Sequence, residues 1–272
     1  MSWRRAAHLV LTTAAPAEKS RAALAAIEAL GRDADDAVRL VPPAQPARPP
    51  RPLLAQPTDV PQRRLGTPEG RVALLHALAH IEFNAIDLAF DMALRFADEV
   101  ADSGENSAEF VQDWIGVGAE EARHFSMVEQ RLVELGSSYG ALPAHGALWD
   151  AAASTGESVL ARLAIAPMVL EARGLDVTPQ MAERLRLAGD EESAVILDRI
   201  FEEEIGHVAA GVRWFERLCA ARNLDTALTF RRLVDERFRG RIKPPFNRPA
   251  RKAAGMAEAL YADWNGVCGA DA

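Results

Sequence analysis

The sequence predicts an all-α protein: an antiparallel four-helix bundle, preceded by a helical, proline-rich arm and followed by a basic helical extension. Three observations predict it. Ala, Leu, Glu and Arg dominate while aromatic residues make up only 6% of the 272 positions, a balance that favours helix over β-sandwich or barrel. Between about residues 65 and 222 the chain offers four helix-length stretches bounded by start and stop signals. Eight of its 16 prolines fall between positions 42 and 61, outside those stretches.

A chain of this length holds one large domain, or one domain with extensions. The divisions fall at about 1–64 for the arm, 65–222 for the bundle and 223–272 for the extension. A net charge of −8 favours solubility and argues against a surface that binds nucleic acid throughout, but leaves room for a local basic patch. Cys219 and Cys268 make neither a disulfide framework nor a Cys-rich metal site, and they fit a reducing compartment. No run approaches the roughly 18–20 apolar residues of a membrane helix. Arg4 and Arg5 precede the mildly apolar stretch Ala6–Ala15, which could be a weak export signal. His8, Thr12 and Thr13 interrupt it, so an amphipathic helix in a cytoplasmic protein is the expectation.

The elements follow in order. Ala17–Leu30 predicts a helix that stops at Gly31. Prolines 42, 43, 46, 49, 50, 52, 57 and 61 exclude helix and predict extended, polyproline-like chain. That chain is either a disordered linker or an arm laid over the bundle, and the apolar pair Leu53–Leu54 favours the arm. Thr67-Pro68-Glu69 starts the first bundle helix with a Thr cap and a proline in the first turn. It runs to Ala101 and breaks at Asp102-Ser103-Gly104. The second spans about Ser107 to Leu135 and stops at Gly136. After a loop containing Pro143 and Gly146, the third spans about Glu157 to Arg173 with a kink at Pro167. Gly174 ends it, and Thr178-Pro179 restarts a short segment that reaches Gly189. The fourth spans about Asp190 to Arg222. Helices on the order of 45 Å long, joined by short turns, pack antiparallel. The extension holds two more helical stretches, separated by Lys243-Pro244-Pro245 and Pro249. It is basic: nine Arg and Lys fall between 231 and 252, against Asp235 and Glu236.

Within the four helices lies a repeated pattern of carboxylates and histidines. Glu82 sits in the first, Glu121-Ala122-Arg123-His124 in the second, Glu171 in the third and Glu204-Ile205-Gly206-His207 in the fourth. Residues i and i+3 share a helix face, so each Glu-x-x-His sets an oxygen and a nitrogen ligand side by side. Two such pairs and two single glutamates supply six ligands, enough for two carboxylate-bridged divalent cations. Carboxylate with imidazole suits iron, manganese or zinc, and no thiolate accompanies them. The levels agree as well. Glu82 lies 21 residues before Ser103, and Glu121 and His124 lie 18 and 21 after it. Glu171 lies 18 before Gly189, and Glu204 and His207 lie 15 and 18 after it. With 22 Glu and six His, a single Glu-x-x-His arises by chance about half a time. Two, each matched by a glutamate at the same height, do not. Nor do the apolar neighbours of Glu82 and Glu171 fit a solvated helix face. His80 is about 200° around the helix from Glu82 and should point away. His76 is badly phased, and His8 and His145 lie outside the bundle; these four read as structural or exposed.

The His-Ile-Glu, Glu-Glu-Ala-Arg-His and Glu-Glu-Glu-Ile-Gly-His segments resemble the ferritin-like di-iron carboxylate superfamily, over about residues 65–222. The likeness is to an uncharacterised bacterial branch, with the tRNA-hydroxylating di-iron monooxygenases as a more distant relative. It implies that Glu82, Glu121 and His124 hold one metal, that Glu171, Glu204 and His207 hold the other, and that Glu121 and Glu204 bridge them. The superfamily often places a carboxylate one turn before each histidine to orient its ring, and Glu120 and Glu203 hold those positions. The implied cofactor is a pair of iron ions, with manganese as an alternative.

Three functions compete on this reading: an oxygen-activating oxidase or hydroxylase, a ferroxidase or iron-handling protein, and a non-catalytic metal-stabilised scaffold. Tyr139 and Tyr261 are the only tyrosines and lie outside the helix centres, which argues against a tyrosyl-radical reductase subunit. The arm and tail exceed what a ferritin cage needs and could shape a pocket, which ranks the oxygenase first. No Cys-x-x-Cys pair exists for a fused rubredoxin-type centre, so an external electron donor is expected. The substrate is a small molecule or a tRNA held by the basic tail, unless those arginines pair with the acidic bundle. A homodimer is compatible with all three.

Overall fold

The computed structural model describes residues 1–30, 39–56, 59 and 65–262. Among them there is no strand, only one isolated bridge, and the fold is an all-α bundle. Two short helices open the chain, α1 (Trp3–Thr12) and α2 (Pro16–Ala26), the second tightening into a 3-10 turn at Ile27–Ala29. The bundle is built from α3 (Pro68–Asp102), α4 (Ser107–Glu134), a compound third helix and α8 (Glu191–Ala221). The compound helix joins α6 (Val159–Ile165), a π-helical turn (Ala166–Glu171) and α7 (Ala172–Leu187). A short α5 (Ala147–Ala153) precedes it, and α9 (Thr226–Arg237) and α10 (Arg248–Ala253) close the chain. Side chains cap the long helices where the sequence offers them. Thr67 accepts from the Gly70 amide, Asn106 from Glu109 and Asp190 from Ser193.

Ion pairs between helix ends set the topology. Arg131 at the end of α4 meets Asp190 at the start of α8 at 2.9 Å, and Arg217 near the end of α8 meets Glu109 near the start of α4 at 2.9 Å. Those two helices are therefore antiparallel. Arg71 and Asp190 join the starts of α3 and α8 at 3.4 Å, while Arg222 and Glu99 join their ends at 3.0 Å. α3 and α8 therefore run parallel. Between α4 and α6 the chain must climb the length of the bundle. It does so along α3, with Trp149 of α5 packed on Leu88 and the Val159 amide donating to Glu99 at 3.0 Å. One long crossover thus connects two antiparallel hairpins.

The third helix departs from expectation. It does not end at Gly174 or restart at Thr178-Pro179, but runs unbroken through both to Leu187. Pro179 has no amide proton, so the Leu175 carbonyl one turn back lacks its helical donor. The side-chain amide of Asn247, from the extension, donates to that carbonyl at 3.1 Å instead. Pro167 lies inside the π-helical turn, where the strain of a mid-helix proline is absorbed. There α8 comes close: a Cβ on Gly211 would sit 2.5 Å from the Pro167 ring. Pro249, expected between helices, instead lies in the first turn of α10, where proline is tolerated.

The arm lies on the bundle. The Ala47 amide donates to the Leu11 carbonyl at 2.7 Å, Arg95 reaches the Pro43 carbonyl at 3.4 Å, and around a parallel bridge at Leu54 the Ala55 amide donates to Ala144 at 2.8 Å while the Ala144 amide donates to Leu53 at 3.0 Å. Leu53 and Leu54 are not its anchors; both are exposed, and backbone hydrogen bonds do the holding. Gly31, Pro57, Pro61 and Cys268 lie outside the described residues. Ala6, Ala7, Val10 and Leu11 of α1 and Leu260 and Tyr261 near the other end join the same core as the bundle. Among the described residues α3 alone is long and apolar enough to cross a membrane, against the expectation that no run would be. It is an inner helix, with 83% of its most apolar window buried in the fold.

Candidate metal centre

Four helices bring six groups to the bundle interior. Ligand atoms of Glu82 from α3, Glu121 and His124 from α4, and Glu204 from α8 all lie within 4.8 Å of one another. His207 joins them, its Nδ1 3.0 Å from Glu121 Oε1 and 3.6 Å from Glu204 Oε2. His124 Nδ1 lies 3.3 Å from Glu82 Oε2 and 3.4 Å from Glu121 Oε2. Glu121 therefore spans the two imidazoles, one oxygen towards each. Glu171 ends the π-helical turn with its Oε2 buried and unpaired, and it feels the charge of Glu204 first and then Glu121.

The histidine orientation comes from the outer carboxylates, in an unexpected pairing. His124 Nε2 donates to Glu203 at 2.8 Å, and His207 Nε2 donates to Glu120 at 2.8 Å. Each carboxylate thus holds the ring of the opposite helix, not the histidine one turn along its own. Each ring turns Nδ1 inward to the carboxylate cluster, which leaves Nε2 aimed across the α4–α8 seam. The two rings stand 5.7 Å apart.

The charges are concentrated. Burial pushes the carboxyls of Glu82, Glu171 and Glu204 above their ordinary range, and neighbouring carboxylates push them further. Burial would raise Glu121 too, but the two histidines outweigh it and hold that group below the usual carboxylate range. Burial opposes charge on His124, yet the carboxylates of Glu121 and Glu82 beside its Nδ1 raise it to about 11. His207 rises well above its ordinary value for the same reason, against burial and led by the charge of Glu204.

The donor set fits a cation. Glu82 Oε2, both oxygens of Glu121, His124 Nδ1, Glu171 Oε2, Glu204 Oε2 and His207 Nδ1 are all buried without a hydrogen-bond partner. Buried polar atoms left so cost about 1–3 kcal/mol each. Each of the six residues expected as ligands contributes at least one such atom, and a cation in their midst would satisfy them together.

Sequence reading missed one feature. Tyr139 follows α4 in the chain, yet its ring folds back 5.4 Å from Phe83 and 5.2 Å from Phe125, the neighbours of Glu82 and His124. Its hydroxyl is 2.9 Å from His80 Nδ1, so His80 does face away from the carboxylates. A tyrosine in a loop gives no periodic signal.

The fold and site define an all-α bundle with a buried glutamate–histidine group able to hold metal. The chain belongs to the family described as protein of unknown function (DUF455), whose model matches residues 12–262. An uncharacterized protein of Haemophilus influenzae is 42% identical over 207 residues, spanning 76% of this chain and 72% of that protein. No solved structure matches the chain.

Proposed function

We propose that this is a ferritin-like di-metal carboxylate protein that activates oxygen to oxidise or hydroxylate an organic substrate. The observation that carries it is the set of seven unpartnered buried atoms on Glu82, Glu121, His124, Glu171, Glu204 and His207. The long crossover, with a Glu on two helices and Glu-x-x-His on the other two, is the arrangement of di-iron and di-manganese bundles. Glu82, Glu121 and His124 would hold one ion and Glu171, Glu204 and His207 the other, with Glu121 and Glu204 between them. Iron or manganese fits these hard donors, and such a pair supplies two electrons to dioxygen, replenished by an external donor. The chain's own contribution is positional. Glu120 and Glu203 fix each histidine with Nδ1 inward, and the ligand atoms are buried. The burial of the cluster favours a resident centre over iron in transit, because ions that come and go need an open path.

The test is metal content after purification with iron supplementation, alongside Glu121→Ala and Glu204→Ala. The expected result is two ions per wild-type chain, lost in both variants, and dioxygen consumption by the reduced protein. A folded wild-type chain that takes up neither iron nor manganese would reject the reading.

A further inference from the structure

A cavity of about 290 Å³ lies between the π-helical turn and the segment that follows α9. Met168, Val169 and Leu170 form one wall, and Phe238, Ile242 and Phe246 the other. The first wall belongs to the π-helical turn, on the face of the third helix that meets the extension.

Its polar lining is unbalanced. Arg173, Arg241, Lys243 and Arg251 border it, with Asp176 as the one acidic residue in the lining. Arg251 is buried and neutralised by Asp176 at 2.7 Å, and Arg173 is tied to the Lys243 and Pro245 carbonyls at 3.0 and 3.1 Å. The rest of the basic extension is largely committed within the chain. Arg237 pairs with Glu157 at 2.6 Å, Arg248 faces Glu258 at 3.7 Å, Arg232 faces Glu236 at 3.9 Å, and Arg231 reaches the Ala259 carbonyl at 3.1 Å. Arg239, Arg241, Lys243 and Lys252 have no such partner among the described residues, and of these Arg241 and Lys243 are exposed at this cavity. An extended RNA face would need the paired arginines free. A small ligand needs only these two.

We propose that this cavity binds a small amphiphilic organic anion, its apolar body between the π-turn and Phe238 and Phe246, its acid group against Arg241 and Lys243. The chemistry is charge pairing at an open mouth with burial of an apolar chain behind it.

The experiment is calorimetric titration with octanoate, octan-1-ol and octyltrimethylammonium, on wild type and on Arg241→Glu/Lys243→Glu. Both substituted positions are exposed, so the fold should survive, checked by circular dichroism. Octanoate should bind at least about tenfold more tightly than the alcohol, the cation should not bind, and the double variant should lose the preference. Equal binding of acid and alcohol, no binding of either, or indifference to charge reversal would each overturn the site. So would a labelled RNA hairpin that binds more tightly than octanoate and is released by the double variant.

Discussion

Glu203 of α8 accepts a hydrogen bond from His124 of α4 at 2.8 Å, although His207 lies one turn further along its own helix. With the reciprocal pair Glu120–His207, it clasps the two Glu-x-x-His helices across their seam. The same contact that orients a histidine also fixes the spacing of α4 and α8.

Glu203→Gln should therefore weaken metal binding while sparing the fold. Partners of this kind typically contribute about 10–100-fold in metal affinity. Competition titration against a chelator is the check, and the loss should fall on the ion held by His124.

The arm should be locked by one buried ion pair. Lys19 of α2 bonds Asp87 of α3, both side chains wholly buried, and also the Ala47 carbonyl at 3.1 Å. Burial pulls the lysine down and pushes Asp87 up to about 6. Lys19→Met should cost about 3–5 kcal/mol by stranding a buried carboxylate, while Lys19→Met/Asp87→Leu should recover most of it. Urea denaturation of both variants decides.

Stability should fall on mild acidification through His76. Its Nε2 accepts from the Gly140 amide at 2.9 Å, and burial holds its pKa down at about 4 against an ordinary 6.5. Between those values the unfolded chain binds a proton that the folded chain refuses. The contribution is thus complete above about pH 6.5 and lost as pH falls towards 4, by at most about 3 kcal/mol. His76→Gln should flatten that slope relative to wild type when urea midpoints are compared at pH values spanning this window.

Asn247→Ala should destabilise by about 1–3 kcal/mol, because the Leu175 carbonyl then has no donor and α10 loses its N-cap. In the Pro179→Ala background the helix supplies its own amide, so only the cap's share of that cost should remain. A double-mutant cycle by thermal unfolding measures the difference.

The bundle helices were legible because their signals are local. A cap, a first-turn proline and a terminal glycine act within a few residues, and Thr67, Gly104 and Gly136 stand where the chain turns. The third helix was misread for the same reason. Gly174 and Pro179 are helix breakers in isolation, and the compensation for Pro179 comes from Asn247, 68 positions away.

By itself the sequence determined an all-α fold and the positions of the six carboxylates and imidazoles, since helical periodicity and hairpin symmetry convert spacing directly into face and height. Tertiary structure alone decided which carboxylate orients which histidine, where Tyr139 folds back, how the arm is held at Lys19 and Ala47, and that a cavity lies between the π-helical turn and the segment after α9. Those relationships are set by packing between elements distant in the chain, where no periodicity connects one residue to its partner.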